Sequence, residues 1–205
     1  DLASSLIMQA AKRNMIKSFK MNINYDGLAN FEKGFRFDET EDQIITLNEV
    51  YNDLASEKPM DRLICGDVGF GKTEIALRAT FIASSNKFKT IIIVPTTLLA
   101  TQHYKIFKQR FLGHTEVELI SRNTRLANKK KILNNFFSNK CNILIGTHAL
   151  LSINFDHVNL GLIIVDEEQH FGVLQKEKIK KLKNSINLLT LSATPIPRTL
   201  HMSLI

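Results

Sequence analysis

Gly66-Asp67-Val68-Gly69-Phe70-Gly71-Lys72-Thr73 is the stretch on which the fold turns. It matches the pattern G-x-x-x-x-G-K-[ST], and it stands after an apolar run at 62–65 and before a candidate helix at about 72–85. That strand–loop–helix setting is what the pattern needs to work. Glycines let successive backbone N–H groups turn inward around phosphate oxygens, and a helix N-terminus adds its partial positive charge. In such a loop Lys72 reaches the β- and γ-phosphates and the Thr73 hydroxyl holds Mg²⁺.

Outward from the loop, the chain alternates. Apolar runs recur at 62–65, 90–94, 117–120, 142–145, 160–165 and 187–191, with candidate helices at about 72–85, 97–111, 124–138 and 174–184. Runs that are apolar throughout and rich in β-branched residues fit a parallel sheet covered on both faces. The alternation predicts a doubly wound α/β layer, mostly parallel, with helices on both faces. Upstream, 2–19 reads as an amphipathic helix, 22–37 as a packed linker, and a helix is expected from Thr40 to about Leu54, with Thr40 as N-cap. The expected organisation is an N-terminal helix and linker over 1–36 and an ATP-binding domain over 37–205.

Composition sets the outer bounds. The chain has 205 residues, 44% of them hydrophobic, with 27 Lys+Arg against 20 Asp+Glu, 9 Gly, 4 Pro and 2 Cys. That excludes a disordered chain, a disulfide scaffold and a Cys-rich zinc site. No apolar stretch approaches the ~20 residues that cross a bilayer, and the N-terminus does not read as a signal peptide. The reading is a cytoplasmic chain with no membrane partner. A net charge of +7 permits a nucleic-acid partner and equally permits a merely soluble surface. The lysines of 129–131 and 175–184 read first as solvated faces, and Cys65 and Cys141 as small core residues. Asp1 at the start and Leu204-Ile205 at the end read as the limits of a piece of something longer.

A second acidic signal completes the nucleotide site. The apolar run ending at Val165 is followed by Asp166-Glu167-Glu168-Gln169. Carboxylates at the C-terminal end of such a strand face the ligand crevice. Asp166 is expected in the Mg²⁺ shell, and Glu167 is expected to orient and polarise the attacking water. The catalytic set is therefore Lys72, Asp166 and Glu167, with Thr73 and Asp166 toward Mg²⁺.

Lys72, Asp166-Glu167 and Ser192-Ala193-Thr194-Pro195 together resemble the superfamily 2 helicase-like ATPases. The stretches at 60–74, 95–104, 143–151, 162–173 and 189–200 are similar, more narrowly, to the transcription-repair coupling factor family, with RecG helicases as siblings. Phe70, Glu74 and Thr97 favour the coupling-factor side. The resemblance implies the first RecA-like motor domain of a double-stranded DNA translocase using ATP and Mg²⁺. It implies a parent that displaces stalled RNA polymerase and recruits excision repair through UvrA, by parts outside this chain. It also implies a second RecA-like domain that supplies arginine fingers, so the chain by itself is expected to bind nucleotide and turn over poorly. The alternatives are a RecG-type fork-remodelling helicase domain, or a nucleotide-gated DNA-binding module without turnover.

Further positions follow by resemblance. The nucleotide-binding set is Phe37, Gln43, Gly66, Asp67, Val68, Gly69, Phe70, Gly71, Lys72, Thr73 and Glu74. Gln43 occupies the adenine-reading position, since an amide both donates and accepts, while Phe37 either stacks on the base or packs in the core. Pro95-Thr96-Thr97, Arg122 and Gly146-Thr147-His148 are candidate DNA-phosphate contacts, with Thr97 alternatively a plain helix N-cap. Gln169, Ser192, Ala193, Thr194 and Arg198 are the candidate coupling residues between the two sites. Arg198 is left open between DNA, a partner domain and Glu168. Gln169-His170 departs from the family's usual His-Arg, which leaves the coupling route open.

Overall fold

All six apolar runs form strands, and all pair in parallel: β1 (Asp61–Cys65), β2 (Lys89–Ile93), β3 (Val117–Ile120), β4 (Ile143–Gly146), β5 (Leu160–Asp166) and β6 (Asn187–Ser192). This computed structural model describes residues 18–23, 26–67, 69–182 and 186–193. The helix expected over 2–19 lies almost wholly outside the described residues. So do Val68, Thr194 and Arg198. Six α-helices are assigned among the described residues: α1 (Asp26–Glu32), α2 (Glu41–Leu54), α3 (Lys72–Ser85), α4 (Thr97–Arg110), α5 (Leu126–Phe137) and α6 (Val173–Leu182).

The sheet order is β1-β6-β5-β2-β4-β3. The period-2 alternation of the strands divides the core in two. Ile92 of β2 and Val94 just after it, with Leu162 and Ile164 of β5, face one cluster with Leu54, Ile75, Ile82 and Phe107 from α2, α3 and α4. Ile91, Ile93, Ile163 and Val165 face the other, with Phe136 of α5 and Ile179 of α6. Helices thus lie on both faces, as the strand composition predicts.

Two expectations are corrected. The 22–37 linker contains α1, and Met21 and Phe31 are buried in the first cluster, with Phe31 stacked on Phe81 at 4.4 Å between centroids. β1 is not covered on both faces. It is an edge strand on which only Ile64 is buried, while Leu63 (40% exposed) and Cys65 face outward. Cys65 is therefore no core residue, whereas Cys141 is buried as expected. Burial pushes the Cys141 thiol up to about 12.

α2 begins where the sequence sets it. Thr40 accepts from the Gln43 backbone N–H, the Gln43 side chain accepts from the Thr40 N–H, and Glu41 and Asp42 occupy the first turn. Its buried stripe is Gln43, Leu47, Val50 and Leu54.

Candidate nucleotide and nucleic-acid site

β6 lies between β1 and β5, so the loop after β1, the end of β6 and the acidic end of β5 meet at one end of the sheet. Backbone bonds tie them: Gly66 N–H donates to Ser192 O (3.2 Å) and Glu167 N–H to Leu191 O (2.9 Å).

In the loop, Gly69 and Gly71 hold positive φ, +93° and +83°. Gly71 is the N-cap of α3, and a Cβ there would lie 2.5 Å from Gln43 Nε2. Lys72 Nζ donates to the carbonyls of Gly66 (2.5 Å) and Asp67 (3.0 Å), which uses two of its three N–H directions. Gln43 Nε2 donates to Phe70 O (2.5 Å), while its Oε1 takes the Thr40 N–H (2.9 Å). The adenine-reading candidate thus also fastens the phosphate loop to α2. Phe37 is 75% exposed and meets Phe35 edge-on at 5.6 Å, so the core-packing alternative falls and the exposed ring is left.

Glu74 goes elsewhere than its assignment to the nucleotide suggests. It is 6% exposed, and its carboxylate takes Arg78 Nε (2.9 Å), Arg110 Nη1 (3.1 Å) and Arg110 Nη2 (3.0 Å). Arg78 also pairs with Glu39, and Glu32 Oε1 lies at 3.4 Å. Burial works against the Arg78 charge, but the contacts with Glu39 and Glu74 outweigh it and raise its pKa. The Arg78 contact holds the Glu39 carboxyl below its usual range. This ion cluster pins the segment before α2 onto α3 and α4.

At the β5 end, Asp166 is largely buried and its Oδ2 lies 2.8 Å from His103 Nε2 of α4. Glu167 adopts a left-handed backbone (φ +56°, ψ +49°), a conformation uncommon for a non-glycine residue and concentrated at functional sites. The Gln169 side-chain amide donates to Glu167 Oε2, and Ser192 Oγ donates to Gln169 Oε1 (3.2 Å). Gln169 therefore links the acidic strand end to the strand end beside it, and Ala193 follows directly.

The donor set fits Mg²⁺. The Asp166 carboxylate and Thr73 hydroxyl are hard oxygens, and Mg²⁺ is ordinarily held by one or two carboxylates plus substrate phosphates and water. Among the described residues no group of three or more His, Cys, Asp or Glu forms a metal cage, so the phosphates would complete the shell. His170 joins no such group.

The DNA candidates converge. Pro95, Thr96, Thr97, Arg122, Thr147 and His148 line one pocket of about 200 Å³ at the ends of β2, β3 and β4. Gly146 ends β4 beneath them, where a Cβ would meet Ile120 O at 2.4 Å. The N-cap of α4 is Thr96, which accepts from Leu99 N–H (3.2 Å), and not Thr97. Thr97 is the first helical residue.

Sequence reasoning missed His103, Arg78 and Arg110. For His103 a signal existed: Ala100, His103 and Phe107 form the buried stripe of α4, and a histidine in such a stripe needs a buried partner. Nothing in the spacing names that partner.

A parallel sheet whose strand ends bring together a glycine-rich G-x-x-x-x-G-K-T loop, an acidic strand end and a second pocket lined by Thr96, Arg122 and Thr147 defines a P-loop domain of the helicase kind. The DEAD/DEAH box helicase family model matches residues 40–203, and the chain belongs to that family. It is 48% identical over its full length to the transcription-repair-coupling factor of Haemophilus influenzae and 44% identical to that of Bacillus subtilis. In both cases it spans 18% of the relative's length. Among solved structures, RecG bound to a three-way DNA junction superposes with a TM-score of 0.81 at 34% identity, covering 97% of this chain and 27% of that one. The UvsW helicase of bacteriophage T4 shares the fold, with a TM-score of 0.58 at 18% identity. Among the described residues no helix is long and apolar enough to cross a membrane.

Proposed function

We propose that the chain is the ATP-binding half of a DNA translocase motor: a first RecA-like domain over 37–205, with 1–36 as an extension that packs on it in part. The observation that carries this reading is the meeting of Lys72, Thr73, Asp166, Glu167 and Ser192 at one sheet end, beside the pocket of Thr96, Arg122 and Thr147. Exposed Phe37 stacks on adenine, and Gln43 reads its edge while holding Phe70 O. Lys72 and the loop N–H groups take the β- and γ-phosphates. Thr73 and Asp166 would hold Mg²⁺, which would supply charge neutralisation on those phosphates. Glu167 orients the attacking water, with Gln169 fixing its carboxylate. Ser192, bonded to Gln169, passes the state of that carboxylate to the strand end; Thr194 and Arg198 extend the same coupling set.

The strand-end pocket takes a phosphate of double-stranded DNA, as the α4 N-terminus, Arg122 and His148 suit an anion. In the parent, which is cytoplasmic, the motor removes stalled RNA polymerase and recruits excision repair through UvrA. The identity to coupling factors supports this over a RecG-type fork helicase, and the intact catalytic set supports it over a DNA-binding module without turnover.

The test is ATP turnover by the chain with and without duplex DNA, beside Glu167→Gln. The expected result is bound nucleotide with turnover no higher than the control, because the arginine finger, worth about 10³–10⁵ in rate, comes from the second RecA-like domain. DNA-stimulated turnover that disappears in Glu167→Gln would overturn the half-motor reading.

A further inference from the structure

His103 sits on the buried face of α4, 6% exposed, with Asp166 Oδ2 at 2.8 Å from its Nε2. Its Nδ1 is buried without a hydrogen-bond partner among the described residues. The ring's remaining neighbour of note is Phe107, 6.2 Å between centroids. An unpaired buried nitrogen is unfavourable, so Leu or Met would serve packing alone better here. The one polar return on that cost is the contact with Asp166.

The chemistry of that contact is specific. Nε2 is the ring nitrogen turned to the carboxylate, and a hydrogen on it donates to Oδ2. A single ring N–H fixes the carboxylate through one oxygen and leaves the other for a cation. A lysine or arginine in its place would compete with the metal for the carboxylate charge. Oδ2 is taken by His103, and Oδ1 has no side-chain partner among the described residues. The same helix begins at Thr97, on the strand-end pocket, so about 9 Å of continuous helix joins the pocket wall to His103.

We propose that His103 is a positioning residue for the metal site: it holds Asp166 through Oδ2 so that Oδ1 serves the Mg²⁺ shell, and it makes α4 the rigid connection between that carboxylate and the strand-end pocket. This rests on the nucleotide-site reading above. Hydrogen-bonded partners of ligating carboxylates and histidines typically set about 10–100-fold in metal affinity.

The test measures binding of a fluorescent ADP to the full chain, in Mg²⁺ and in EDTA, for the unchanged chain, His103→Leu, His103→Gln, Asp166→Asn and the Leu/Asn double variant. In His103→Leu the gain in affinity from Mg²⁺ should fall about tenfold, while affinity in EDTA stays within about twofold. Gln, whose amide nitrogen reaches as deep as Nε2, should restore most of the gain. Asp166→Asn should abolish it, and adding His103→Leu to Asp166→Asn should change nothing more. If His103→Leu does not fold, His103→Gln against His103→Asn carries the test, since both are amides and only Gln reaches Oδ2. A full Mg²⁺ gain in His103→Leu, an equal loss in both buffers, or additivity with Asp166→Asn overturns the proposal and leaves the nucleotide reading standing. No nucleotide binding by the unchanged chain in either buffer would sink both.

Discussion

β1 and β5 each end in a motif of the nucleotide site, yet they hold those motifs by different means. β5 is buried at every position and lies inside the sheet, between β6 and β2. Its acidic end inherits rigidity from the core and from α4 through His103. β1 lies at the sheet edge with one buried residue in five. The loop it launches is fastened by polar contacts: Gln43 on Phe70 O, Lys72 on the Gly66 and Asp67 carbonyls, Gly66 on Ser192. The Asp166 carboxylate is thus a fixture of the core. The loop after β1 is instead clamped from outside by polar contacts.

The contrast can be broken at several points. The largest effect should be on the two thiols. Cys65 faces out of β1, whereas Cys141 is buried with its pKa pushed up to about 12. At pH 8 a thiol reagent should modify Cys65 at least about 10³-fold faster than Cys141, read by mass spectrometry, because the thiolate is the reacting form. Comparable rates would mean that the Cys141 face opens as readily as β1.

Next comes Ile163→Ala, at a position of β5 with no exposed surface. It should cost about 2–5 kcal/mol in urea unfolding. A smaller effect comes from Gly71→Ala. The positive φ and the 2.5 Å approach to Gln43 Nε2 both oppose a methyl group. The expected cost is about 1–3 kcal/mol, with loss of ADP affinity exceeding loss of thermal stability. The smallest is Leu63→Ala on the open face of β1, within about 0.5 kcal/mol. A cost near that of Ile163→Ala would show that the open face of β1 is covered in solution.

The same contrast explains what was legible in the sequence. All six strands were readable as short apolar runs, and β5, buried at every position, is the plainest case. The loop and the acidic end were readable because their chemistry needs particular residues at set spacing. The exposure of Cys65 was not, since Arg62–Cys65 looks as apolar as the other runs and its edge position depends on strand order. α1 was missed because seven residues with a glycine leave too little periodicity to detect. Thr96 displaced Thr97 as N-cap because two adjacent threonines give the same signal. Glu74, Arg78 and Arg110 were beyond reach for another reason. Their pairing spans α3 and α4, and Glu39 joins from before α2, so only the folded chain brings those charges together.

One further consequence follows from the place of β6. It is the last of the six strands to be made, yet it is the one ladder partner of β1 and separates it from β5. Met60 N–H reaches Asn187 Oδ1 across 127 positions. On a ribosome adding about 5–20 residues per second, β1 waits roughly 6–25 s for its neighbour. Throughout that interval the phosphate loop is attached to a strand with no ladder, and the carboxylate meant to face it stands on the far side of an unfilled slot. A nascent chain that has released five strands therefore carries both motifs without the strand that brings them together.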